Sequence, residues 1–194
     1  MSTGWLAVAF GGGTNSTAML CGMKDRGIRP DLLTFADTGA ELPHTYEYVA
    51  MMQAVVKSWW GIELQTVRKL YKGEFNDGIT GQCKRHGQMP SLAYGFRSCS
   101  VKYKHEPQDR LLKSAMRGAK VTHAIKAIGF DAGEGHRVKP EHLEPKPLTK
   151  KLTLQYWYPL VEWGWKRCDC VAAIKRHGLP QPGKSSCYFC PAMK

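Results

Sequence analysis

The feature that most narrows the fold is a junction close to the amino terminus. A short apolar run, Leu6-Ala-Val-Ala-Phe10, stops at three consecutive glycines, Gly11, Gly12 and Gly13, and a second apolar stretch begins almost at once. A continuous run of this length is the pattern of a strand buried on both faces of a parallel sheet. Thr14, Asn15 and Ser16 can cap a helix that runs through Ala18, Met19, Leu20, Cys21 and Met23 and closes near Gly27. The same alternation follows. Residues 32–36 read as a strand ending in Asp37-Thr-Gly-Ala-Glu-Leu-Pro43, Pro43 suits the first turn of a helix reaching about Trp59, and residues 62–67 read as a third strand. Strands separated by helices imply a parallel sheet with right-handed crossovers, and ligands of such sheets bind beyond the carboxyl ends of the strands.

Residues 68–100 are rich in Gly, Lys and Arg with little periodicity and read as a long functional loop or lid, with room for short helices inside it. Residues 102–116 read as helical once past Pro107, and residues 121–128 as a strand running into Gly129-Phe-Asp-Ala-Gly-Glu-Gly-His-Arg137, a loop expected on the same sheet edge as the first one. Residues 138–153 look like an exposed connector. The expected division is an α/β domain over 1–155 and a small Cys-rich closing module over 156–194, which suits a chain of 194 residues.

A hydrophobic share of 43% and a charged share of 23% exclude a disordered or low-complexity chain. The apolar run ending at Phe10 is far too short to span a membrane and lacks a signal peptide's basic leader, so no membrane partner and a cytoplasmic location are expected. The net charge of +12 is uneven: residues 1–64 carry −2, residues 65–126 carry +9 and residues 127–194 carry +5. A field of this kind draws polyanions, either the phosphates of a nucleotide or a nucleic acid backbone met by residues 65–126. Seven cysteines without an export signal read as reduced thiols, and Cys168, Cys170, Cys187 and Cys190, in C-x-C and C-x-x-C pairs, look like a ligand set.

Backbone N–H groups in a glycine turn, followed by a helix amino end, make a concave donor array suited to phosphate. The spacing is neither the Walker pattern nor GxGxxG. It resembles the SGGxDS signature of the PP-loop ATP pyrophosphatases and, within them, the phosphoadenosine phosphosulfate (PAPS) reductase-like proteins: Gly12, Gly13 and Ser16 match, and Gly11 and Asn15 stand where the family has Ser and Asp. Phe35-Ala-Asp-Thr-Gly-Ala-Glu-Leu-Pro-His-Thr45 is similar to the family's DTG segment. Arg97-Ser-Cys-Ser-Val-Lys-Tyr-Lys-His-Glu-Pro107 resembles the R-x-C-T-x-x-Y-K-x-x-P segment of bacterial and phage members, and residues 128–137 resemble their GIS-x-DE-x-x-R loop. Tyr158-Pro-Leu-Val-Glu162 and the tail from Arg167 to Pro191 are similar to their closing elements, so the resemblance covers nearly the whole chain.

The resemblance implies a Rossmann-like domain of the adenine nucleotide alpha hydrolase type. Gly11, Gly12, Gly13, Thr14, Asn15 and Ser16 would hold the phosphates of ATP or an adenylated sulfur compound. Asp37 and Thr38 would lie by the nucleotide, Asp37 helping to place it or its Mg²⁺, and Lys104 and Arg137 would meet phosphate or sulfate as catalytic cations. It picks out Cys99, Cys170, Cys187 and Cys190 for a 4Fe-4S cluster, with zinc as the alternative; outside that set Cys168 is a substitute ligand, Cys83, three residues before His86, a weaker zinc candidate, and Cys21, on an apolar helix face, a core residue. The expected function is an enzyme binding an adenine nucleotide and acting in sulfur transfer or substrate adenylation, with a nucleic acid acceptor and a sulfur donor protein as expected partners. A reductase of PAPS or adenosine phosphosulfate is the second reading, although the ECGLH-like motif of such reductases does not occur in these 194 residues and relatives run on past the CxxCP. The third is a degenerate module that binds nucleotide or DNA within a modification complex, suggested by Gly11 and Asn15.

Overall fold

The computed structural model describes residues 4–71, 74–75, 77–90 and 98–191. It is an α/β structure around a six-stranded sheet. In chain order the elements are β1 (Trp5–Phe10), α1 (Thr14–Asp25), β2 (Leu32–Asp37), α2 (Pro43–Trp60), β3 (Leu64–Arg68), β4 (Leu70–Tyr71), β5 (Glu74–Phe75), α3 (Gly78–His86), α4 (Ser98–Ser100) and α5 (Glu106–Gly118). There follow β6 (His123–Ile128), β7 (Lys146–Pro147), β8 (Thr153–Trp157), α6 (Pro159–Glu162) and α7 (Arg167–Arg176). The sheet order is β3-β2-β1-β6-β8-β7; every pairing is parallel except the short edge strand β7, which runs against β8, while β4 and β5 form a separate hairpin.

Alternate side chains of the central strands feed two cores. Val8, Phe10, Leu33 and Phe35 face α1, α2 and α7 on one side, and Ala7, Leu32, Ala124 and Leu154 face α5 on the other. β2 is buried along its whole length, Thr34 and Asp37 included, as a strand covered on both faces of a parallel sheet should be. Helix α2 begins with Pro43 at its first turn and ends at Gly61, whose φ of +68° supplies the left-handed cap. Helix α5 buries Gln108, Leu112 and Met116, a stripe at spacing four.

One expectation changes. The helix expected after Pro107 begins at Ser98, because a π turn over Val101–His105, closed by the Glu106 N–H on the Val101 carbonyl, joins α4 to α5. Proline lacks an N–H and crowds the carbonyl four residues back, and the wider turn accommodates both defects. The stretch 68–100 holds a hairpin and α3, while residues 72–73, 76 and 91–97, Arg97 among them, lie outside the described residues. The division placed at 155/156 falls inside β8, and Leu160, Cys170, Ala173 and Ile174 from beyond it belong to the main core. Among the described residues no helix is long and apolar enough to cross a membrane.

Candidate functional site

Because β1, β2, β3, β6 and β8 are parallel, their carboxyl ends share one edge. The order of connection reverses between β1 and β6, so the crevice beyond those two ends is a switch point of the kind where ligands of α/β sheets bind. The loops that follow the two strands meet there at backbone contact: a Cβ on Gly129 would lie 3.0 Å from the Cα and N of Ser16. On the other side, a Cβ on Gly12, whose φ is +71°, would lie 2.9 Å from Thr45 Cγ2. Gly13 caps α1 in an extended conformation; its N–H donates to the Ser16 hydroxyl (3.3 Å), which in turn donates to the Gly13 carbonyl (3.0 Å). The amino end of α1, with its partial positive charge, therefore opens onto the crevice.

Asn15 does not stand free. Its amide donates to Asp131 Oδ2 (3.0 Å) and Glu134 Oε2 (2.9 Å), and its carbonyl accepts from Arg167 Nη1 (3.1 Å). Asp131 also accepts from the Gly133 and Glu134 N–H groups, capping the 3-10 turn over Ala132–Arg137. A neutral amide at position 15 thus sits between two carboxylates that an aspartate in its place would repel. Arg137 pairs with Glu134 and lays its guanidinium 4.0 Å over the Phe130 ring, which stacks on Tyr158 at 5.4 Å.

At the end of β2, the Asp37 carboxylate is nearly enclosed. Oδ1 accepts from the Gly39 N–H (2.7 Å) and the Tyr46 hydroxyl (2.8 Å), and Oδ2 is held by the Arg68 guanidinium. Burial alone works to raise its pKa; the Arg68, Gly39 and Tyr46 donors outweigh that, so it sits below the ordinary 3.8. A folded-state pKa below the unfolded one stabilises the fold above the unfolded value and is lost as pH falls through the folded one. Asp37→Asn is accordingly expected to cost about 2 kcal/mol at neutral pH, the scale of hydrogen bonds to a charged group. That difference from the wild type should shrink in urea unfolding series taken below about pH 4.

The next turn carries a second carboxylate, Glu41. Glu41 is fully buried; Oε1 accepts from the Thr38 hydroxyl (3.1 Å) and pairs with Lys104 Nζ (2.9 Å), while Oε2 has no partner among the described residues. The Thr38 hydroxyl also lies 3.4 Å from Cys187 Sγ. Lys104 comes from the π turn, which aims it at this loop while Tyr103 stays buried.

The carboxyl-terminal segment crosses the same edge as a strap. Gln181 donates to the Thr14 hydroxyl (2.6 Å), the Leu42 N–H donates to the Ser186 carbonyl (3.2 Å), Cys187 forms a bridge with Glu41, and the Tyr188 N–H donates to the Ala40 carbonyl (2.9 Å). A Cβ on Gly13 would lie 2.6 Å from Ser185 Oγ, which places that hydroxyl against the glycine loop. Arg68, Glu41, Asp131, Glu134, Arg167 and Ser185 were not singled out from the sequence, since each acts across a long chain separation.

The thiols fall into two groups. Cys99 and Cys187 pack, together with Cys83 and Phe189, against a small apolar nucleus of Ala40, Ile79 and Tyr103, and Cys190 ends the turn that Cys187 begins, its N–H donating to the Cys187 carbonyl (3.0 Å). Cys170 lies elsewhere, fully buried on α7 in the main core, its thiol pushed up to about 12 chiefly by burial. Burial also raises Cys83 and Cys187, the latter opposed by Thr38. Among the described residues no three His, Cys, Asp or Glu side chains converge as a formed metal site. Cys83, Cys99 and Cys187 are thiols from separate elements beside one apolar body, donors of the soft kind that iron-sulfur clusters and zinc take.

Part of the basic charge is spent internally. Arg68, Arg85, Lys104 and Lys126 pair with Asp37, Asp77, Glu41 and Asp109. Lys102, Arg110, Arg117 and Lys120 remain exposed on or beside the long helix. Arg117 and Lys120 join Lys150 and Lys151 around an open groove of about 480 Å³ at the amino ends of β6 and β8, the edge opposite the switch point. No protein-family model and no curated protein matches the chain.

Proposed function

We propose that the chain is a PAPS reductase-like PP-loop enzyme with a Rossmann-like, adenine nucleotide alpha hydrolase-type fold, binding an adenine nucleotide at the switch point and acting in sulfur transfer or substrate adenylation. The single observation that carries this reading is the meeting of the 11–16 and 129–137 loops at the amino end of α1, between the two strands where the sheet order reverses. In this scheme main-chain donors of Gly11 to Ser16 hold the phosphates, with the Ser185 hydroxyl closing over them. The ion-paired Asp37 and the buried Glu41 fix the loop that carries Thr38 beside the nucleotide. Arg137 swings from Glu134 to counter charge that develops on the phosphates, and Lys104 does so from the Glu41 side. Mg²⁺ would accompany ATP. In adenylation an acceptor oxygen bonds to the α-phosphorus, the bond to the β-phosphate oxygen breaks, pyrophosphate leaves, and the acceptor's proton passes to solvent. The cysteine-bound 4Fe-4S cluster, or zinc in its place, would supply a soft site for sulfur. A nucleic acid acceptor is supported by the exposed Lys102, Arg110, Arg117 and Lys120.

The engagement of Asn15 by two carboxylates and Arg167 favours a second reading, a domain that binds nucleotide or DNA without cleaving ATP. The test is ATP binding and pyrophosphate release by the anaerobically purified full chain with Mg²⁺, against Gly13→Asp. The enzyme reading expects turnover in the wild type. In the variant, nucleotide affinity should fall at least about tenfold, since like charges brought together cost several kcal/mol. Binding without pyrophosphate release in the presence of nucleic acid and sulfur donor would leave the binding module; absence of both ATP and DNA binding would remove both readings.

A further inference from the structure

We propose that Cys83, rather than Cys170, completes the four-thiolate site with Cys99, Cys187 and Cys190; this rests on the reading above that the chain carries a thiolate-bound cluster or metal. The argument is one of placement. Cys83 lies four residues after Ile79 on α3, which puts both on one helix face, and Ile79 is buried with Ala40 and Tyr103. Cys99, at the start of the long helix, and Cys187, in the strap, pack on that same nucleus. Cys190 closes the turn from Cys187. Three separate elements thus deliver three thiols, Cys83, Cys99 and Cys187, to one apolar body, with Cys190 three residues further along the strap, and each of the four is half-buried rather than enclosed.

The three elements are tied to one short stretch of chain. The Ile79 N–H donates to the Thr38 carbonyl (2.9 Å), the Thr80 hydroxyl to the Gly39 carbonyl (3.1 Å), and the Tyr188 N–H to the Ala40 carbonyl, while the Tyr103 hydroxyl binds Gln82 on α3. Cys170 has no comparable access. It is 0% exposed and packed with Ala173 and Ile174 against α1, where a cluster would need a cavity opened in the main core. The four proposed thiols do not yet converge within the described residues. Loading would draw the turns at 98–100 and 187–190 inward, each thiol giving up its proton on ligation.

The experiment is iron, acid-labile sulfide and zinc analysis, with visible absorption, of the full chain expressed with added iron and purified without oxygen. It compares wild type, Cys83→Ser, Cys99→Ser and Cys170→Ala. The expected result is background metal and no thiolate-to-metal absorption in Cys83→Ser and Cys99→Ser, and wild-type content in Cys170→Ala. Wild-type content in Cys83→Ser, or loss in a Cys170→Ala that keeps the wild-type circular dichroism and melting, would overturn the proposal. A wild type that holds neither iron nor zinc would instead bring down the thiolate-site reading on which it rests. Independently of how any variant folds, iodoacetamide labelling of the loaded wild type should spare Cys83 until a chelator is added, while the exposed Cys168 reacts throughout. Labelling of Cys83 in the loaded protein would also overturn the assignment.

Discussion

Replacing Gly78 with alanine is expected to destabilise the protein by about 2–5 kcal/mol, adding the cost of a left-handed residue to that of overpacking. Gly78 has φ +66°, a region L side chains rarely adopt, and an added Cβ would overlap the Thr38 carbonyl and lie 2.9 Å from Gly39 Cα. All of these neighbours are backbone, so nothing flexible can give way. Gly27 supplies the control, since its φ is +65° but a Cβ there meets nothing within 4 Å. Gly27→Ala should therefore cost only about 1 kcal/mol, the strain alone. Urea unfolding of the two variants, compared at equal slope, isolates the contact from the conformation. A Gly78→Ala loss no larger than that of Gly27→Ala would mean that α3 is not docked on the Thr38–Gly39 turn. The consequence would reach the thiols, because that docking is what holds Cys83 beside the loop that carries Thr38 and Glu41.

The elements that were legible in the sequence are those whose signals are local. An apolar run halted by glycines, a helix closing near Gly27 and Pro43 at a first turn depend on neighbours in the chain, and β1, α1, β2, α2 and β3 were readable from them to within a few residues. The shared edge for the 11–16 and 129–137 loops was equally readable, because strand and helix alternation forces parallel strands. What was not readable depends on contacts between distant segments. The π turn that carries a helix through Pro107 has no local pattern, and α3 is fixed by its contact with Thr38 and Gly39. Asn15 finds Asp131 and Glu134 only because the sheet brings β1 beside β6. The placement of Cys170 did leave a trace: Cys170, Ala173 and Ile174 fall at helical spacing on one buried face, a core signature that the nearby C-x-C spacing masked.

Asp109→Ala should destabilise the protein by about 3–5 kcal/mol, the scale for leaving a buried charge without its partner. The Lys126 side chain is only 3% exposed, on β6 facing α5, and its ammonium lies 2.7 Å from Asp109 Oδ1. The pair is asymmetric, because the Asp109 side chain keeps 22% exposure. Lys126→Met should then cost no more than about 1 kcal/mol, since a methionine restores the apolar stem and the remaining carboxylate reaches water. The double variant should lie close to Lys126→Met alone, giving a strongly non-additive cycle in urea unfolding. The effect bears on function through position. Lys126 is in register between Ala7 of β1 and Tyr156 of β8, three residues before Gly129, so the ion pair clamps α5 to the strand that presses the second loop against Ser16. An Asp109→Ala variant that lost stability but bound nucleotide with unchanged affinity would separate that clamp from the site. The expected result is that both fall together, and a loss below about 1 kcal/mol would show the ammonium to be solvated after all.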